Sequence, residues 1–157
     1  MLKTEFKEFI PIERPVINTE NIPDPAWISG FVSGEGNFDI RITNSTTKIG
    51  KRVQLRLRIV QHERDLKLME SIIKYLGTGK IYKYPGKLAV SITILKYRYY
   101  WNNNSIFNKY PISGEKLKDY QDWCKTHKLI SEGLHLTLKG IDIIQKIKSG
   151  MNKGRKY

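Results

Sequence analysis

The residue whose position most strongly suggests chemistry is an acid, Glu35, which stands between Gly34 and Gly36. The pattern predicts a helix from about Pro25 to Gly34, so Glu35 comes directly after its end. A helix C-terminus carries negative partial charge, and a carboxylate there is electrostatically disfavoured unless a cation lies nearby. Because a single carboxylate holds Mg²⁺ weakly, Glu35 is a candidate metal ligand that needs a second acid. The alternative is an exposed loop acid.

The predicted helix before Glu35 is unusually rich in apolar and small residues for a surface helix. Ala26, Gly30 and Gly34 recur every four residues, a spacing that lets two helix backbones approach closely. Glycine lowers helix propensity, so we expect close packing against a second helix to compensate. Two copies packed in this way would bring two Glu35 side chains together. The predicted interface residues are Ala26, Ser29, Gly30, Ser33 and Gly34.

The elements that follow must position this acid. Residues 37–44 and 52–61 alternate apolar and polar side chains, with the period of half-buried strands. An amphipathic helix is predicted next, over residues 65–75. A second pair of strands follows at 80–84 and 88–95. Three further helices are predicted at 97–107, 114–128 and 138–151. This order predicts an α+β fold, a four-stranded antiparallel sheet with helices on one face.

The face of the sheet that the helices leave open is predicted to carry Arg, Gln, Asn and Lys side chains. These residue types reach DNA base edges and phosphates, and Asp39 is the only acid among them. A solvated sheet face usually mixes both signs of charge, so we interpret this face as a nucleic-acid surface. The candidate contacts are Asn37, Asp39, Arg41, Thr43, Asn44, Arg52, Gln54, Arg56, Arg58, Lys80, Tyr82, Tyr84, Lys87, Ser91 and Thr93.

Composition supports a polyanionic partner. The 157 residues include 28 Lys plus Arg against 15 Asp plus Glu, a formal charge of +13. The single cysteine, Cys124, excludes an intrachain disulfide and a zinc knuckle. No apolar run is long enough for a membrane span, and nothing suggests a small-molecule substrate. We expect one domain over residues 24–152, preceded by an extended arm at 1–23 and followed by a basic tail at 153–157.

Two polar residues interrupt the apolar faces of the predicted strands. Gln61 continues the apolar parity of the second strand, and Lys96 continues that of the fourth. Polar exceptions at strand ends can mark a site or can show simply that the strand has ended. Periodicity alone leaves both possibilities open.

The segment from Ile28 to Gly36, ISGFVSGEG, resembles the LAGLIDADG motif of homing endonucleases. The αββαββα order and the segment from Lys148 to Arg155, KSGMNKGR, match that family as well, so the resemblance covers nearly the whole chain. It implies that paired motif helices join two repeats, that the sheets lie in DNA major grooves, and that Glu35 binds the catalytic Mg²⁺. By position, Gln61 and Lys96 would then surround the metal-bound water. The chain departs from the single-chain members in having only one motif, and Ser33 replaces the motif's first Asp.

These features predict a site-specific endonuclease that cuts both strands of a long DNA target with Mg²⁺. With one motif, cleavage requires a homodimer, a separate partner half or an engineered symmetric arrangement of two halves, and a homodimer is our preferred interpretation. The alternative is a half-domain that binds DNA or, as a maturase does, intron RNA without cutting. The resemblance, together with a Lys, Ile, Asn and Tyr bias, suggests that the protein is encoded in mitochondria.

Overall fold

The computed structural model describes residues 21–22, 24–95 and 106–155 of the chain. Three short 3-10 turns lie at Glu63–Asp65, Leu134–Leu136 and Asn152–Gly154. The helices and strands are α1 (Pro25–Glu35), β1 (Gly36–Asn44), β2 (Lys51–His62), α2 (Leu66–Leu76), β3 (Lys80–Lys83), β4 (Ala89–Ile94), α3 (Ile106–Lys109), α4 (Lys116–Ser131) and α5 (Leu138–Ser149). The predicted α+β order is confirmed. Among these helices, none is both long and apolar enough to cross a membrane.

The four strands form one antiparallel sheet in the order β1-β2-β4-β3. Gly36 pairs with Ile59 across β1 and β2, and Ile59 pairs in turn with Ile92 of β4. Since side chains alternate between faces along a strand, this register places the apolar residues of all strands on one side. The predicted four-stranded antiparallel sheet is therefore confirmed, with β1 and β3 at its edges.

The hydrophobic core lies between the sheet and the helices that cover one of its faces. Phe38 of β1 is fully buried and packs against Tyr120 and Trp123 of α4, with ring centroids 5.2 and 6.1 Å away. Phe107 of α3 joins this group edge-on, 6.1 Å from Phe38. Aromatic pairs in this geometry add stability beyond the area that they bury. The aromatic cluster fixes α4 against β1, the strand that leads directly out of α1.

Helix α1 begins and ends for local reasons that the sequence contains. Asp24 caps its start, where the side chain accepts a hydrogen bond from the backbone N–H of Ala26 at 2.6 Å, and Pro25 follows at the first helical position. At the other end, the backbone becomes extended at Gly36. A Cβ there would lie 2.6 Å from the carbonyl oxygen of Val32, so only glycine fits. The helix runs one residue beyond its predicted end, and Glu35 is its last residue.

Three other predicted boundaries can be compared with the structure. Most of the helix predicted at 97–107 lies outside the described residues, and α3 begins only at Ile106. Thr137 caps α5 as predicted, because its side chain accepts a hydrogen bond from Gly140 N–H at 3.0 Å. The chain segment predicted as a basic tail contains Arg155, which pairs with Asp119 and Asp122 at 2.8 and 2.9 Å.

Candidate functional site

Glu35 lies exposed at the end of α1, and a lysine from another helix reaches the same point. The ammonium of Lys116, the first residue of α4, donates a hydrogen bond to the carbonyl oxygen of Gly34 at 2.8 Å. No described residue lies within salt-bridge distance of the Glu35 carboxylate. An acid with an unpaired carboxylate within the described ranges and a lysine therefore share one small site.

The electrostatics of this site explain why both charges are tolerated there. An acid at a helix C-terminus and a base at a helix N-terminus each oppose their own helix dipole, but placed together they attract. Burial lowers the pKa of the Lys116 ammonium below its ordinary value, while the carboxylates of Glu35 and Asp119 act in the opposite direction. A lysine held this way places a partly buried positive charge close to Glu35.

Two serines of α1 fix the segment that carries Lys116. The Ser29 hydroxyl donates to the carbonyl oxygens of Tyr110 and Pro111 at 2.6 and 3.0 Å. Ser33 accepts a hydrogen bond from the Ser113 N–H at 2.9 Å and donates to the Ser29 carbonyl at 2.7 Å. Ser29 is buried and its hydroxyl is already bonded inside its own domain, so its place in the interface stays a prediction. The Ser33 hydroxyl is likewise occupied within the domain.

The remaining predicted interface residues form an open row on α1. Ala26, Gly30 and Gly34 are exposed, and a Cβ added at either glycine would meet no atom within 4 Å. Trp27 and Phe31 stack beside this row, with ring centroids 4.9 Å apart, and are partly exposed. Nothing in the described part of the chain requires glycine at 30 or 34. This open row is what a close-packed helix pair needs.

Of the two polar residues predicted to join Glu35, the structure describes Gln61 but not Lys96. Gln61 lies partly buried near the end of β2, two residues past Ile59, which pairs with Gly36. The register therefore places Gln61 at the same end of the sheet as Glu35. Lys96 lies outside the described residues. Strand β4 runs away from this end, because Ala89 pairs with His62 and Ile94 with Leu57.

Lys116, which the structure brings to Glu35, was missed in the sequence. It sits in a turn-and-helix segment, so strand periodicity gives no sign of it. One signal exists: a lysine at the first position of a helix is electrostatically disfavoured, just as Glu35 is at the end of its helix. Placing the start of α4 at Lys116 rather than at Gly114 would have revealed that signal.

The open sheet face brings the predicted contact residues together in cross-strand rows. Asn37 pairs with Arg58, Arg58 with Thr93, and Thr93 with Lys80. Further along, Arg41 lies opposite Gln54 and Thr43 opposite Arg52. The exposed candidates on or beside this face are Arg41, Asn44, Arg52, Lys80, Tyr82, Tyr84 and Lys87, while Asn37, Thr43, Gln54 and Thr93 are partly exposed.

Three candidates on this face are already engaged or covered. The Arg56 guanidinium forms a salt bridge with Asp39 and donates from Nε at 2.8 Å, so the single acid of the face is neutralised. Ser91 is only 3% exposed, because it lies between Val60 and Tyr82 in the register. Ser91 is therefore not available to DNA without movement of these neighbours.

One domain supplies only one of the acidic ligands that a divalent cation at Glu35 would need. Exposed carboxylate oxygen is the ligand type that Mg²⁺ prefers, and Glu35 offers one. Over the described ranges, however, no three acidic, His or Cys side chains are grouped to hold a metal ion. The site suits a metal only if a second acid comes from outside this domain.

Comparison with known proteins identifies a matching family model and relatives of similar sequence. The family model described as LAGLIDADG endonuclease matches residues 28–127. Probable intron-encoded endonuclease 3 of Neurospora crassa is 55% identical over 145 residues, which are 91% of this chain and 27% of that protein. An uncharacterized mitochondrial protein of Saccharomyces cerevisiae is 23% identical over 185 aligned residues, 96% of this chain and 37% of that protein.

Solved structures agree closely with this one. The I-SmaMI LAGLIDADG homing endonuclease bound to cleaved DNA has a TM-score of 0.83 and 40% identity, covering 99% of this chain and 52% of that chain. I-SmaMI bound to an uncleaved DNA target in the presence of calcium ions has a TM-score of 0.82 and 40% identity, covering 97% and 52%. The I-LtrWI LAGLIDADG homing endonuclease bound to target DNA has a TM-score of 0.83 and 35% identity, with 99% and 52% coverage.

The extent of these matches defines what is shared. The chain spans about a quarter of the Neurospora protein and about half of each solved enzyme. The fold agrees over nearly all of this chain, and the family model covers residues 28–127. The chain therefore belongs to the LAGLIDADG family of homing endonucleases.

Proposed function

We propose that this chain is one half of a site-specific, Mg²⁺-dependent DNA endonuclease that cuts both strands of a long target. The observation that carries the proposal is the meeting of Glu35 and Lys116 at the end of a helix whose Gly30–Gly34 row is open. A second domain packed on that row would bring a second acid to the same point. Two carboxylates and two lysines would then flank the DNA.

Each residue of this site has a role that follows from its chemistry. A bound Mg²⁺ would lower the pKa of a water molecule and stabilise charge on the scissile phosphate. Glu35 would hold the ion through its exposed carboxylate. Lys116, positive and partly buried beside Glu35, would stabilise the negative charge that grows on the phosphate during cleavage. Gln61, at the same end of the sheet, would orient the attacking water through its amide.

The sheet would bind DNA through its open face, in the major groove. The exposed Arg41 and Arg52 and the amide of Gln54 can reach base edges, where a good bidentate contact contributes about 1–3 kcal/mol of discrimination. The Arg56–Asp39 pair would hold its guanidinium in a fixed orientation, which lowers the entropy lost on binding. One sheet covers only part of a long site, so two halves are needed to read it.

The partner we propose is a second LAGLIDADG half, either another copy of this chain or a half of different sequence. The solved relatives are about twice as long as the part that this chain matches, which supports a partner of similar size. A homodimer would favour a near-palindromic target, because two-fold symmetry in the protein is mirrored in its site. A different second half would favour an asymmetric target.

Organellar origin is part of the proposal. The relatives include an intron-encoded endonuclease of one fungus and a mitochondrial protein of another. The sequence bias toward Lys, Ile, Asn and Tyr is compatible with an AT-rich organellar genome. We therefore propose that a mitochondrial intron encodes the chain.

One observation favours a second candidate function, binding without cleavage. The described residues of one chain supply one acid at this point and no three-ligand metal group. A chain without a partner half would then bind DNA, or intron RNA, through its sheet and leave the backbone intact.

The test is a cleavage screen of a randomised duplex library with the purified chain, in Mg²⁺ and in EDTA, with light scattering on the same sample. Sequencing the cut ends identifies the target directly. We expect Mg²⁺-dependent double-strand cuts at one family of long sites, made by an assembled pair. A strictly monomeric chain that binds duplex DNA and cuts none of the library would favour the binding function instead.

A further inference from the structure

The 3-10 turn Asn152–Gly154 lies against the edge of β1 and supplies a hydrogen-bond donor to one of its carbonyl groups. The Asn152 amide donates to the carbonyl oxygen of Phe38 at 3.0 Å, and its own oxygen accepts a hydrogen bond from the Asn37 amide at 2.8 Å. An edge strand leaves backbone groups unpaired, so this contact supplies a partner that the sheet lacks. It also ties the turn to Asn37, which lies on the open face of the sheet two residues after Glu35.

The turn is also held by two acidic side chains of α4. The backbone N–H of Asn152 donates to the Asp119 carboxylate at 3.0 Å, and Arg155 donates to Asp119 and Asp122 at 2.8 and 2.9 Å. Asn152 has φ +52°, the one positive value at a non-glycine residue within the described ranges. Such a conformation costs energy and persists only where surrounding contacts impose it. The segment after α5 is thus a fixed part of the domain surface.

A groove between this turn and β1 is lined by cations. Lys148 and Lys153 stand exposed on its outer side, and Arg58 lines its inner side beside Asn37. The Nε of Arg58 is buried and has no hydrogen-bond partner among the described residues. Asp39 also lines the groove but is neutralised by Arg56. A groove with three cations, whose one acid is already paired, favours an anion that has several oxygens.

We propose that this groove binds a backbone phosphate of the DNA, so that the turn contacts the duplex beside the strand face. The inference rests on the proposed function, because it requires DNA to lie along the open sheet face. A backbone phosphate is an anion with several oxygens, and cationic side chains bind it whatever the base sequence is. Lys148 and Lys153 would provide the positive charge that attracts the phosphate. Asn152 would hold the turn next to Asn37, at a fixed distance along the chain from Glu35.

The experiment compares the double variant Lys148→Gln/Lys153→Gln with the wild-type chain. Lys146→Gln is the matched control, because Lys146 is exposed on the same helix but lines a different surface with Asp142 and Gln145. Affinity for duplex DNA is measured over a range of salt concentrations. We expect about twofold to fivefold weaker binding for each lysine removed, a salt slope smaller by about 0.9 for each phosphate that is no longer neutralised, and an unchanged melting temperature. The control should behave as wild type.

Neutral methylphosphonate substitutions along the duplex locate the contact. The wild type should lose affinity at one phosphate in each half-site, and the double variant should be insensitive there. An unchanged salt slope and an unchanged methylphosphonate profile in the double variant would overturn the inference. The variant Arg41→Gln separates this outcome from failure of the proposed function. If Arg41→Gln weakens binding and the double variant does not, only the groove assignment fails. If the wild type binds no duplex, both fail.

Discussion

Replacing Gly30 by leucine should separate folding of the domain from its assembly. Gly30 lies in the middle of α1, and a Cβ there would meet no atom within 4 Å. The substitution therefore creates no collision inside the chain. Leucine is a better helix former than glycine by roughly 0.8 kcal/mol, so we expect the isolated domain to become slightly more stable.

The same side chain should prevent close helix pairing. Glycine rows allow backbone-to-backbone approach, and overpacking a tight contact costs about 1–3 kcal/mol. In a homodimer both copies carry the substitution, so the cost is roughly 2–6 kcal/mol, which weakens association by about 30-fold or more. With a partner of different sequence, the cost arises once and double-strand cleavage falls accordingly.

Sedimentation velocity over a wide concentration range measures association, and thermal unfolding of the dilute protein measures folding. At this chain length, about 1 kcal/mol corresponds to a melting shift of roughly 2–4 °C. Gly140→Ala provides the contrast, because a Cβ there would collide with the carbonyl of Leu134, and the domain should lose stability. Unchanged association of Gly30→Leu would refute the interface. A large drop in its melting temperature would show that Gly30 is enclosed by its own chain.

Three further predictions follow from other contacts. Lys116→Met should keep DNA binding and lower the cleavage rate about 100-fold or more, whereas Lys118→Met, whose lysine pairs with Glu115 at 3.0 Å, should cut normally in the same plasmid assay. Asn152→Gly keeps the left-handed backbone but leaves the Phe38 carbonyl without its donor, so thermal unfolding should show a loss of about 1–3 kcal/mol. Burial alone would raise the pKa of Asp122, but hydrogen bonds from Lys125 and Arg155 outweigh it and hold the pKa below its ordinary value. Such a carboxylate stabilises the fold above its unfolded pKa and loses that effect as pH falls below about 4. Unfolding measured against pH should therefore show that Asp122→Asn is less stable at neutral pH and loses less on acidification.

The elements that build the sheet could be predicted because their signals are local. Strand alternation places Phe38 and Leu57 in the core, and both are fully buried. Capping residues such as Asp24 and Thr137 act within three residues of themselves. The open row of Gly30 and Gly34 could also be read from spacing alone, since the surface of a single helix depends only on its own sequence.

The contacts that cross between distant segments could not be predicted. Ser29 looks like an interface residue by spacing, yet it bonds to carbonyls about 80 residues away. Lys116 contacts the end of α1 because a turn before α4 brings it there, and hydrophobic periodicity does not predict the path of a turn. Ser91 has the parity of an exposed residue but is covered by its neighbours on β2 and β3. In each case the tertiary neighbour, and not the local pattern, determines the exposure.

The fixed C-terminal turn shows the same limit. Its sequence is basic and short, features that normally accompany frayed ends. What holds it is a set of partners on other elements, Asp119 and Asp122 on α4 and the edge of β1. The resemblance to the family included this segment without giving it a role, and in the structure it donates a hydrogen bond to the edge of the sheet.

The most direct test of the claim that Glu35 contributes half of a two-acid metal site is cleavage and binding by Glu35→Gln. The side chain stays the same size, is exposed at the end of α1, and loses only the charge that holds Mg²⁺. Glu132→Gln, an exposed acid after α4, is the matched control. We expect Glu35→Gln to bind the target duplex as the wild type does and to make no double-strand cut in Mg²⁺, while the control cuts normally. Double-strand cleavage by Glu35→Gln at the wild-type rate would contradict the claim.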